Sequence, residues 1–302
     1  MLGHHPRYAA FMLRRVSLIL ALSLALQIAG QQARRPAPAT HRHSPSDLEV
    51  ITLDPTGRQK PSIFLSRAYL SSLPQTTTRI HADEDFPELP TSGTRISGVD
   101  LETLIHAIDP SNPNLAAVAI CRDEYISPFP SQTIGQHHPI LALTMDDLSP
   151  HAWAVKHHTY DPSPYFVTYQ NFVPAFHILA HQDRAQHPAE IVGLKLLPTS
   201  LLVAAITPPG ADQLPPGSPI LDGFQIAQQN CFRCHNSGET GGKKAHRTWQ
   251  QLGEVAKSRP EFFADWVHNP QSIDPKSKMP PNLKYDQATL KALTRYFQTF
   301  AP

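Results

Sequence analysis

Residues 230–240 read NCFRCHNSGET, with Cys231 and Cys234 three apart and His235 directly after them. This stretch restricts the fold more tightly than any other in the chain. Two cysteines at i and i+3 share one helical turn, and a histidine at i+4 projects from the same side. That spacing lets both thiols add to the two vinyl groups of one haem while the imidazole reaches the iron, the c-type attachment pattern. Rival chemistries fit less well. A structural zinc site takes four nitrogen or sulfur ligands, and the only other cysteine is Cys121. A redox dithiol is expected beside a βαβ pattern, whereas this motif follows a helix and precedes a loop.

A haem iron held by His235 leaves a sixth position. Downstream, DWVHNPQSIDPKSKMPPN (265–282) contains Met279, the only methionine after residue 207. Pro280 and Pro281 hold Met279 in extended backbone, which suits a ligand presented from a loop. His246 and His268 are the rivals, and an apolar loop side chain is the plain alternative. His/Met ligation fills both axial positions and raises the reduction potential, which favours electron transfer over oxygen chemistry.

The 302 residues carry 31 prolines, 17 histidines and a formal net charge of +1, with no long basic run. A nucleic-acid partner is not expected from such a balance. Arg14 and Arg15 precede the apolar VSLILALSLALQIAG (Val16–Gly30), which reads as the core of an export signal rather than a comfortable membrane span. Cleavage would release the chain to the periplasm; retention would leave it membrane-anchored and facing the periplasm. Residues 31–46 are Pro- and Ala-rich and read as a flexible spacer. The five prolines of TPPGADQLPPGSP (207–219) mark a linker, 207–218, between two domains.

Between these breaks, strand-like runs occur at 48–53, 115–120, 140–145, 165–169, 191–197 and 201–206. Helical spacing runs from Val99 to Ile108, and a short helix is expected over 66–73. Region 47–206 is therefore an expected α+β, strand-rich domain. After the linker the pattern turns helical. Ile220, Phe224, Ala227 and Cys231 share one face, and Asp286 can cap a last helix bearing Leu290, Leu293, Phe297 and Phe300.

The run from Gly223-Phe-Gln-Ile-Ala through CFRCH, Trp266, Asn269-Pro270 and Lys278-Met279-Pro280-Pro281 to Tyr296 resembles a class I cytochrome c domain over 219–302. The resemblance implies an all-α fold, thioether attachment at Cys231 and Cys234, and His235 and Met279 as axial ligands. Trp249, Phe262, Phe263 and Trp266 are expected as the apolar wall around the porphyrin, with ordinary core as the equal alternative. Earlier, SGVDLETLIHAI, AAVAICRDEYISPF, HPILALTMDD, PYFVTYQNF and AEIVGLKL are similar in order and spacing to the molybdopterin-binding domain of the sulfite oxidase type. That family places its molybdenum-binding cysteine before the helix following Gly98, where TRIHADEDFPELPTSG (78–93) has none. Cys121 comes after that helix, where a buried inert thiol is the expectation.

His177 and His181 would share a face if 174–185 were helical, and His137, His138, His151, His157 and His158 lie upstream; scattered surface histidines are the expectation. No phosphate-binding glycine loop or nucleophile elbow occurs. These readings combine into an exported multidomain protein carrying one haem c, transferring single electrons to periplasmic redox partners. Its N-terminal domain is expected as a binding or docking module. The alternative is a molybdenum-dependent sulfite-type dehydrogenase passing electrons to its own haem.

Overall fold

The apolar run LAAVAIC becomes strand β5 (Leu115–Cys121), and it shows how the chain is layered. Side chains alternate across a strand. Leu115, Ala117, Ala119 and Cys121 enter one apolar core, while Ala116 and Val118 enter another on the opposite face. A strand buried on both faces is apolar throughout. It is the second strand from the edge of a five-stranded sheet ordered β2 (Ile63–Leu65), β1 (Leu48–Thr52), β11 (Ile191–Pro198), β5, β6 (Ile126–Phe129). β1 and β11 run parallel and the other neighbours antiparallel.

The computed structural model describes residues 36–82 and 86–302. The expected export signal, 1–30, lies outside the described residues, as does the start of the spacer. From Ala39 the expected spacer is tied to the fold: Ala39 and Phe64 exchange backbone hydrogen bonds, and Asp47 accepts from the amides of His43 and Ser44.

A second, antiparallel sheet is ordered β3 (Thr76–Ile80), β4 (Thr94–Asp100), β7 (Ile140–Met145), β8 (Phe166–Thr168). Val99, Leu141, Leu143 and Val167 face the first core, which lies between the sheets with α1 (Arg67–Ser72), α2 (Leu101–Ile108) and α3 (Ser131–His137). Ile96, Ala142, Met145 and Phe166 face the other way, under Trp153 of α4 (Pro150–His157). The expected helix after Gly98 starts later than its periodicity suggests, because Val99 belongs to β4. The run LLVAAI, expected as a strand, is helix α5 (Thr199–Ala204). Leu202 is its buried residue. A run this short does not distinguish the two periods.

The expectation of a multidomain chain ending in an all-α domain is overturned. Of the described residues 33% are helical and 23% lie in strands, and strands occur on both sides of the proline-rich segment. Helices α6 (Pro219–Asn230), α7 (Trp249–Ser258), α8 (Pro260–His268) and α10 (Gln287–Gln298) cover the outer face of the five-stranded sheet. α9 (Pro270–Ile273) and a ribbon of β12 (Asn236–Ser237) and β13 (Thr240–Gly241) complete the region. One core holds Val118, Ile126 and Leu197 together with Ile226, Trp249, Phe263 and Tyr296. The physical reason is the second apolar face of β5 and β11, which would be bare without those helices. Ala37–Pro302 accordingly forms one compact unit, and 207–218 is a connection inside it. Across that connection the Tyr296 hydroxyl donates to Ile206 O at 2.5 Å, and Ser237 Oγ to Ala205 O at 2.8 Å.

Candidate cofactor site

α6 starts at Ser218, whose Oγ accepts from the Ile220 amide, and Pro219 occupies its first position. Its buried residues include Gly223, Ile226 and Ala227, and it ends by delivering Cys231. A short 3₁₀ turn, Cys231–Arg233, follows. The amides of Cys234 and His235 both donate to Cys231 O, at 3.2 and 3.0 Å. This tightened turn gathers Cys231, Cys234 and His235 in one place. Both thiols are free and half-buried. Burial pushes Cys231 up to about 12 and Cys234 upward, so both are neutral thiols.

Between the cysteines, Phe232 is fully buried and meets Trp249 edge-on, with ring centroids 5.7 Å apart. The ribbon β12–β13 folds back against this turn. A Cβ at Gly242 would fall 1.9 Å from Arg233 O, and one at Gly241, where φ is +103°, 2.6 Å from His235 O. Only glycine lets the two backbones approach so closely.

His235 is the most informative side chain. Its Nδ1 donates to Arg247 O at 2.7 Å, which places the proton on Nδ1 and leaves the Nε2 lone pair available. A metal-ligating histidine is held in this way, by a carbonyl on its second nitrogen. Burial also pushes its pKa down, keeping the ring neutral. The Arg247 guanidinium lies over Trp266, 5.9 Å from the ring centroid, and Trp266 pairs with Phe262 at 5.6 Å. Phe262 and Trp266 are half-buried beside this segment, whereas Phe263 and Trp249 belong to the interior. Trp249 Nε1 donates to the Tyr296 hydroxyl at 3.1 Å and Phe263 packs on Phe297.

Met279 follows α9 in irregular backbone. Gln271 Nε2 donates to Ser277 O at 3.0 Å and to Met279 O at 2.8 Å, and the Met279 amide donates to Ser277 Oγ at 3.3 Å. Half-buried Met279 and Cys231 pack against the same apolar cluster. Of the rivals, His246 is exposed, while His268 is half-buried with Nδ1 enclosed and without a hydrogen-bond partner. The donor set suits a haem: two neutral thiols on one turn, an imidazole with a free Nε2, and a thioether on a braced loop.

Cys121 lies in β5, 5% exposed, with burial pushing its thiol up to about 12. The turn that follows it meets the cysteine motif. Arg233 Nη1 donates to the Tyr125 hydroxyl at 3.1 Å, Lys244 pairs with Asp123, and the Lys243 amide donates to Glu124 O at 3.1 Å. The 174–185 segment is not helical. β9 (His177–Ile178) and β10 (His181–Gln182) form a hairpin that leaves His177 exposed and buries His181. Among the described residues no three His, Cys, Asp or Glu side chains gather as a metal cage. His137 is also buried, its Nε2 3.0 Å from Asp183 Oδ2. Sequence reasoning missed both buried histidines. The available signal was the apolar residues flanking His181 in AFHILAH.

Compared with known proteins, the chain matches no family model and no curated protein sequence.

Proposed function

We propose that the chain is an exported electron-transfer protein with one covalently attached haem c. The observation that carries this reading is the turn 231–235, with both thiols beside an imidazole whose Nδ1 is committed to Arg247 O. Each thiol S–H would add across one vinyl C=C, forming an S–C bond and placing the hydrogen on carbon, so attachment would consume no oxidant. Cys231 and Cys234 would hold the group, and His235 Nε2 and Met279 sulfur would be the donors to its iron. When bound, the haem supplies a one-electron couple. Arg247 O keeps the His235 ring oriented while burial keeps it neutral, Gln271 braces the Met279 backbone, and Phe262 and Trp266 keep water from that side. Region 47–206 frames the site through the Asp123–Tyr125 turn and the β9–β10 hairpin and is the surface on which a periplasmic redox partner docks.

The test is maturation of the full chain in a host that attaches haem c. Wild type is expected to keep its haem after denaturation. Cys231→Ala with Cys234→Ala is expected to lose it; haem retained covalently by that variant would sink the proposal. His268, with its enclosed Nδ1, supports a second assignment of the sixth position. Met279→Ala is expected to abolish the absorption band of thioether-ligated ferric haem. Persistence of that band would remove Met279 from the iron, and a six-coordinate bis-nitrogen spectrum in wild type would transfer the position to His268.

A further inference from the structure

His181 is 1% exposed and both its ring nitrogens are bonded. Gln229 Nε2 donates to Asp183 Oδ1 at 2.5 Å, which turns Gln229 Oε1 toward His181. An amide oxygen only accepts, so His181 Nε2 carries the proton and donates to it at 2.7 Å. His181 Nδ1 is then the acceptor, and the Tyr285 hydroxyl donates to it at 2.8 Å. Asn230 Nδ2 donates to the Tyr285 oxygen in turn. The far end is closed by His137 Nε2 on Asp183 Oδ2 at 3.0 Å. Every proton in this chain has one direction, and the chain requires neutral His181.

Its end points matter more than its length. Gln229 and Asn230 are the last residues of α6, directly before Cys231. Tyr285 lies six residues after Met279 and closes the loop, its amide donating to Asn282 O at 2.9 Å. The β9–β10 hairpin is buckled to the same region a second time, because the Ala180 amide donates to Thr289 Oγ1 at 2.9 Å. A side chain from the strand-rich part of the chain therefore grips both segments that carry the expected axial ligands.

We propose that His181 is a positioning residue for the haem site: bonding Gln229 and Tyr285 at once, it sets the separation between the His235 and Met279 segments. This rests on the haem reading above. A looser grip weakens the thioether at the iron, and His/Met ligation is what raises the potential. Loss of the grip therefore lowers it.

The experiment uses the full haem-loaded chain as wild type, Tyr285→Phe, His181→Phe, the double variant and His181→Gln. Covalent haem content, reduction potential and the thioether-ligation band are measured on each. Tyr285→Phe removes one hydroxyl and keeps the ring, so it serves even if His181→Phe does not fold. Each single variant is expected to shift the Fe(III)/Fe(II) equilibrium tenfold toward the ferric form, about 59 mV for one electron. The double variant should move no further than His181→Phe, because both changes cut the same link. His181→Gln, which keeps a donor toward Gln229, should recover part of the shift. Wild-type potential and band in Tyr285→Phe and His181→Phe, with haem attached, would overturn this inference alone. Absence of covalent haem from wild type would overturn the reading beneath it.

Discussion

Burial holds His181 neutral, pushing its pKa down to about 4, with desolvation the leading cause and the Gln229 hydrogen bond opposing it. Arg184 and Arg233 push in the same direction as desolvation, and Asp183 opposes them. An unfolded histidine titrates near 6.5. Between those values the unfolded chain binds the extra proton and the folded chain does not, so stability increases with pH. The contribution is complete above about 6.5 and is lost as pH falls through about 4. The urea midpoint of wild type should therefore drop across that window more steeply than that of His181→Gln; parallel curves would contradict this. The spacing of His177 and His181 is compatible with a helix face, yet the segment is a hairpin. Four-residue spacing also brackets a two-residue hairpin turn, here Leu179–Ala180, with Leu179 at φ +53°. Local pattern alone does not choose between them. That Cys231, Cys234 and His235 share one turn, by contrast, was legible at once, because it depends on neighbours in sequence.

At the scale of elements, the crossing of α6 and α10 controls how the cysteine turn is presented. A Cβ at Gly223 would fall 2.3 Å from Ala292 O and 2.6 Å from Tyr296 Cβ. Both are on α10, so the helices touch backbone to backbone at this point. In an isolated helix, alanine for glycine is favourable by about 1 kcal/mol. Overpacking of a tight contact costs typically about 1–3 kcal/mol and occasionally more. Because the clash is with backbone, Gly223→Ala should destabilise the chain by about 1–2 kcal/mol net, read from urea denaturation. A neutral or stabilised variant would mean that the helices separate freely. The helices themselves were legible from the faces of 220–231 and 290–300, and Asp286 caps α10 as expected, accepting from the Thr289 amide at 2.8 Å. The need for glycine at 223 was not legible, since it comes from a helix about seventy residues later in the chain.

For the whole molecule, the shared core predicts how the chain comes apart. Val118 and Leu197 from the sheet pack in one cluster with Trp249 and Tyr296 from the helices, and Tyr296 bonds Ile206 across the proline-rich connection. Trp153 lies at the opposite side, beneath the second sheet. Variants keeping only Trp153 or only Trp249 should report coincident urea transitions, as one cooperative unit requires. Separated midpoints would restore two independent domains. Composition suggested those two domains, because five prolines in thirteen residues look like a boundary. A proline-rich segment limits local structure without revealing whether its flanks pack together. The apolar run LAAVAIC held the contrary signal, since a strand apolar on both faces needs cover on both.

The sequence by itself determined what is local: two thiols and an imidazole on one turn, the positions of five of the described strands, and the last helix with its Asp286 cap. Tertiary structure alone decided what surrounds that turn. It brought His181 against Gln229 and Tyr285 and spread one core across the connection. Those outcomes depend on contacts between residues 48 to 109 positions apart, whose strength lies in mutual burial and carries no short-range signature in the chain.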